Sequence, residues 1–195
     1  MSSLFTRLGL GAILALPFYI VLRCLYLKRK KGQPEVMREI LLCLFVLFMA
    51  GLIVLVLWPG NLSGQSSRPL IRAAERLRSG RGMNAVPFHT IGSYFTGGFD
   101  TGFIINIVAN VLMFSPLGLC LPLFWQRFQR WWKLLFIGAA FSSGIETAQL
   151  FVGRSVDIDD VILNTAGVVL GYGVFVLLVC LLPGVRSKWQ SKRPV

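Results

Sequence analysis

The chain has 195 residues, 55% of them apolar, and a mean hydropathy of +0.69. That composition excludes an ordinary soluble domain. The formal net charge of +12 does not point to nucleic acid, because the cations gather in the gaps between long apolar segments, as in membrane proteins.

Five segments are long and apolar enough to cross a bilayer, which takes about 20 helical residues. They lie at roughly 8–27, 40–58, 103–125, 132–152 and 158–182. The first resembles a signal peptide only superficially, since its charged start holds just Arg7 and no small-x-small cleavage site follows. Arg23 precedes Cys24, which argues against a lipoprotein site, so an uncleaved span is expected. Arg23 itself lies near the end of the span and can snorkel to the membrane surface. The first two spans hold few polar side chains and read as lipid-facing support. Between them Lys28-Arg29-Lys30-Lys31 forms a basic anchor.

Lys and Arg set the topology. The loops at 28–39 and 126–133 and the tail after 183 share one face and hold twelve of them, against seven on the other face. Five of those seven fall in the long segment 59–102, which counts weakly. The N-terminus is therefore expected outside, the C-terminus in the cytoplasm, and the protein in the cell membrane as a multi-pass chain. Cys24, Cys43, Cys120 and Cys180 all lie within spans, form no CxxC pair and read as small apolar residues.

Segment 59–102 is too long to be only a connector. It opens on the turn-rich stretch WPGNLSGQSSRP. Leu70, Ile71, Ala74 and Leu77 then share one helical face, with Arg68, Arg72, Arg76 and Arg78 mostly off it. This predicts a short helix lying in the outer interface with its arginines near lipid phosphates. The segment ends on Asn84 to Ile91 and a Gly-rich turn at 97–102; within it His89, the only histidine, reads as a hydrogen-bonding residue.

Polar residues recur at helical spacing in the last three spans. Asn106 and Asn110 are four apart; Ser142, Glu146 and Gln149 step by four and three. Asp157, Asp160, Asn164, Gly167 and Gly171 follow at steps of three or four. Each set shares one helix face, while Asp159 points about 100° away from the Asp157–Asp160 stripe. In the expected topology Asn110, Glu146 with Gln149, and Asn164 all sit one or two turns below the outer surface. A polar pocket open to the outside is the predicted result.

The individual residues divide between glue and chemistry. Asn106, Ser142 and the glycines suit helix–helix packing. Asp157 suits a helix N-cap, and acids suit the positive end of the fifth helix. Capping accounts for one or two acids but not for three together with Glu146, whose burial in lipid demands a partner. Arg154 is the nearest cation in sequence, two turns on. Carboxylates with amide oxygens would suit a hard divalent cation, but no D-x-D-x-D-G loop is present, and no metal site or cofactor is expected. The candidate ligand-binding set is Asn110, Glu146, Gln149, Arg154, Asp157, Asp159, Asp160 and Asn164. Glu146 and Asp160 are the catalytic candidates should the protein be an enzyme.

Read in order, these residues resemble the VanZ-like family of small bacterial membrane proteins. The resemblance rests on Asn84-x-x-Pro87-Phe88-x-x-Ile91, Asn106-x3-Asn110-x3-Phe114-x-Pro116-Leu-Gly118 and Ser142-x3-Glu146-x2-Gln149. It continues through Gly153-Arg154-x2-Asp157-Ile-Asp159-Asp160-Val-x2-Asn164-Thr-x-Gly167-x3-Gly171-Tyr172. It covers about 40–182, leaving 1–39 as an N-terminal span with a basic loop and 183–195 as a basic tail. The resemblance implies a link to glycopeptide antibiotics, the namesake being associated with low-level teicoplanin resistance.

The combined expectation is an all-α integral membrane bundle of about five transmembrane helices with one short interfacial helix. Its partners would be the lipid bilayer and a lipid-linked cell-wall precursor or glycopeptide, held without catalysis in an outward pocket. The alternative is an intramembrane enzyme acting on such a substrate through Glu146 and Asp160.

Overall fold

A computed structural model describes residues 2–29, 35–58, 69–80, 82–97 and 101–182. Lys30 and Lys31 of the basic anchor, the turn-rich start 59–68, residues 98–100 of the Gly-rich turn and the basic tail from 183 lie outside the described residues, as do Arg68 and the side chain of Arg72. Five long helices form the bundle: α1 (Ser2–Arg29), α2 (Val36–Leu57), α5 (Thr101–Phe124), α6 (Trp131–Val152) and α7 (Ile158–Leu181). All five are long and apolar enough to cross a membrane. Two short helices, α3 (Pro69–Ser79) and α4 (His89–Gly97), lie between α2 and α5. The expected all-α bundle is what folds, with two additions, the helix α4 and a short strand pairing. Met83–Asn84 (β1) pairs in parallel with Val156–Asp157 (β2), placing Asn84 beside Asp157.

Helices are the economical choice for an apolar chain in lipid, since each satisfies its own backbone hydrogen bonds. Small residues then bring the helices together, as is usual where the lipid offers no hydrophobic driving force between them. α5 and α7 pack backbone to backbone. Gly118 faces the Val168 carbonyl, Gly167 the Val111 carbonyl and Gly171 the Ser115 carbonyl, each too close to admit a Cβ atom. α6 lies against α7 at Gly138, where an added Cβ would meet Val168 Cβ at 3.1 Å. The spacing Gly167-x3-Gly171 is thus a packing device.

α1 rests on α2 where Gly11 and Gly51 pass each other; a Cβ on either would meet a carbonyl oxygen of the other helix at 2.7 Å. α1 is otherwise little buried, as expected of a supporting span. α2 differs from its expected role. Leu42, Phe45 and Leu52 join Phe114, Leu117, Phe124, Leu134, Ile145 and Val168 in the buried core. Phe45 and Phe124 have ring centroids 6.2 Å apart.

The ends of the bundle carry separate polar groups. At one end the Arg23 Nε and Nη2 donate to the two Glu39 carboxylate oxygens. Arg38 also reaches Glu39, at 3.6 Å, and donates to the Phe124 carbonyl at 3.4 Å. At the other end Arg7 lies over the Trp58 ring, 5.5 Å from its centroid, and the α6–α7 corner sits beside them.

Gly167→Leu should force α5 away from α7 and cost about 2 kcal/mol or more. Gly173→Leu, where nothing lies within 4 Å of the added Cβ, should be tolerated. Thermal unfolding of both variants in the same detergent checks the pair, and equal midpoints would argue against close α5–α7 packing.

Candidate functional site

The site is the corner where α6 ends and α7 begins. α6 stops at Gly153, whose φ of 79° is in the left-handed region that glycine enters without strain. The N–H groups of Gly153 and Arg154 both return to the Gln149 carbonyl. Residues 154–155 then lead into β2, and Asp157 caps α7, its side chain accepting from the Asp159 N–H at 2.9 Å. The expected N-cap is in place.

Each acid of the corner has a different set of donors. Asp157 Oδ1 accepts from Asn84 Nδ2 at 3.0 Å as well as from Asp159, and Oδ2 accepts from the Thr90 hydroxyl. Asp159 is 1% exposed. Its Oδ1 accepts from the Phe88 N–H at 2.6 Å and its Oδ2 from the Ile91 N–H at 3.0 Å. It therefore caps α4, a second helix reached from about 70 residues away in the chain. One N–H lies just before α4 and the other in its first turn, where a negative charge is favoured. Phe88 has a φ of 62°, an uncommon conformation for an aromatic residue that the carboxylate contact helps to hold.

Glu146 and Asp160 are less completely supplied. Glu146 is 5% exposed, and its Oε2 accepts from the Asp157 N–H at 3.0 Å. Asp160 is half-buried and accepts from Asn110 Nδ2 at 2.9 Å. Among the described residues each accepts this one hydrogen bond, against three for Asp157 and two for Asp159.

Arg154 turns one nitrogen to the Trp58 carbonyl at 3.4 Å. A second guanidinium is Arg76 of α3, which donates to the Gly153 and Arg154 carbonyls. This geometry places a cation at the negative end of α6. Arg76 thereby departs from the expected place of the arginines of this helix. Arg76 is turned inward with the buried Ala73, not toward lipid phosphates, while Leu70, Ile71 and Leu77 stay exposed on the outside.

Gln149 and Asn164 take interhelical partners. Gln149 Nε2 donates to the Val56 carbonyl of α2 at 3.1 Å, and Asn164 Nδ2 to the Ser142 hydroxyl at 2.8 Å. The Asn164–Ser142 pair lies one helical turn, about 5.4 Å, deeper than Asp160 with Asn110. The single polar level expected from the spacing is thus two. Asn164 Oδ1 and the neighbouring Thr165 hydroxyl are buried without a hydrogen bond among the described residues. No group of three or more His, Cys, Asp or Glu side chains in a metal-holding arrangement occurs among the described residues.

A family profile described as VanZ/LLP1 matches residues 41–179. The chain belongs to the VanZ/LLP1 family. Neither curated proteins nor solved structures give a match. The VanZ/LLP1 region takes in α5, α6, the corner after it, most of α2 and nearly all of α7, and leaves α1 outside.

Arg76, Thr90 and the α4 amides are the parts of this corner that the polar pattern did not single out. Asn84 and Pro87–Phe88 stood in an ordered motif, but nothing local assigned them to Asp157 and Asp159. Arg76 was one of five cations in a segment without distinguishing spacing.

Asp159→Ala should cost about 3 kcal/mol, since two backbone N–H groups lose a charged acceptor. Hydrogen–deuterium exchange over residues 84–97 should rise steeply while the α5–α7 contact stays protected. Unchanged exchange at Phe88 and Ile91 would remove the docking role assigned to this carboxylate.

Proposed function

We propose that this VanZ/LLP1 protein binds a polar or lipid-linked cell-envelope ligand at the α6–α7 corner, without catalysis. One observation supports this reading above the others: Glu146 and Asp160 are carboxylates inside spanning helices with only one donor each among the described residues. Carboxylates at such positions are costly to retain and are functional candidates by default. Ligand hydroxyl, amide or ammonium groups would complete their hydrogen bonding, and Arg154 would take a carboxylate or phosphate. Asn110 and the Asp157 N–H position Asp160 and Glu146, and Gln149, Asp159 and Asn164 brace the elements around them.

The distribution of Lys and Arg supports an outward-facing corner, with the N-terminus outside and the C-terminus cytoplasmic. Lipid-linked wall precursors and glycopeptides are met on that face. The family's name-giving association with teicoplanin makes a glycopeptide or the precursor it recognises the first ligand to test.

Wild type and Glu146→Gln should be expressed at matched membrane levels in a susceptible Gram-positive host. The expected outcome is a teicoplanin-selective rise in inhibitory concentration, with vancomycin little changed, that Glu146→Gln and Asp160→Asn reduce. No rise with the wild type would end the resistance reading for that host. Mass spectrometry of wall precursor and teicoplanin incubated with the purified protein separates the alternative: a changed product that Glu146→Gln abolishes would make this corner an intramembrane active site.

A further inference from the structure

The opposite end of the bundle holds a second polar group that the α6–α7 corner does not use. Along α1 and α2 runs a groove of about 400 Å³ lined by Ala15, Phe18, Tyr19, Leu22, Arg23, Tyr26 and Val46. Its character changes along its length. Ala15, Phe18, Leu22 and Val46 make one part apolar; Tyr19, Arg23 and Tyr26 bring polar groups to the other. The Arg23 guanidinium lies over the Tyr26 ring at 4.7 Å.

Charge and length both bear on the occupant. Arg23 and Arg38 both contact the carboxylate of Glu39. Arg29, seven residues or about two turns beyond Leu22, adds a cation on the same face of α1. The Tyr19 hydroxyl is buried without a hydrogen-bond partner among the described residues. From Ala15 to Tyr26 the helix rises about 16 Å at 1.5 Å per residue. Half of a bilayer's hydrocarbon core is about 15 Å. Because the spanning part of α1 is Phe5–Arg29, Ala15 falls near mid-membrane and Tyr26 near the surface.

We propose that this groove holds one anionic phospholipid from the leaflet in which α1 ends. Its phosphate sits by Arg23 and Arg29, and an acyl chain runs along Leu22, Phe18 and Ala15 toward the midplane. A zwitterionic lipid of the same chain length fills the groove equally well, but its own headgroup cation offsets the attraction of Arg29. The match in length to one leaflet distinguishes a lipid from a free phosphate or a soluble peptide.

The test uses the full-length protein in nanodiscs of dioleoyl phosphatidylcholine with increasing dioleoyl phosphatidylglycerol, bound lipid being counted by native mass spectrometry. Retention of phosphatidylglycerol over phosphatidylcholine should be roughly fivefold, the change expected for about one basic side chain at an anionic surface. Ala15→Phe, which fills the apolar end, and Arg23→Gln should each abolish that preference. A phosphatidylglycerol carrying a photoreactive acyl chain should crosslink the wild type within residues 15–26, which needs no variant to fold. No preference in the wild type overturns the proposal, as does a preference that survives both substitutions with crosslinks elsewhere. A dimeric mass that Ala15→Phe converts to monomer, without lipid preference, would assign the groove to a second copy of the chain instead.

Discussion

The contact on which the α6–α7 corner depends is that of the Asp159 carboxylate with the Phe88 and Ile91 amides. A buried carboxylate in a membrane protein must find donors, and the first turn of a helix is where backbone donors are left over. One contact therefore meets two needs at once. It neutralises the cost of burying Asp159, and it ties the start of α4 to the start of α7. Asp157 repeats the device with Asn84 and Thr90 while capping its own helix. The short pairing of β1 with β2 follows from the same docking, since Asn84 and Asp157 are partners in both.

With those two acids occupied, Glu146 and Asp160 stand in a frame that they do not have to build. The frame is reinforced from every neighbouring helix. Gln149 and Arg154 hold carbonyls near the end of α2, and Arg76 of α3 holds the carbonyls that close α6. Behind them the glycines of α5 and α7 bring two backbones into contact, which fixes Asn110 of α5 against Asp160 of α7. Rigid support of this kind is what a binding constellation needs if its geometry is to be held before a ligand arrives.

Much of this was legible along the chain because helical periodicity is a local property. Stripes such as Asn106/Asn110 and Ser142/Glu146/Gln149 follow directly from 3.6 residues per turn, and Asp159 was expected to point away from Asp157 and Asp160. Instead Asp157 and Asp159 both turn to residues 84–91, and Asp160 alone faces Asn110 of α5. The place of Arg76 was not legible, because an interfacial helix with five nearby arginines offers no local rule for which one turns inward. Nor was the ion pair of Arg23 with Glu39, since two residues flanking a basic loop read equally well as surface anchors.

The sequence by itself determined that this is a membrane bundle of five spans and which family it belongs to. Length, hydropathy and the order of motifs are enough for that, because lipid permits an apolar chain few folds besides the helix. The tertiary structure alone decided which acids are structural and which remain short of donors. The donors for Asp159 come from residues 71 and 68 positions earlier, in a segment with no periodicity to announce its docking. Hydrogen-bond satisfaction in a low-dielectric interior is set by what lies within 3 Å in space, and separation along the chain carries no record of it.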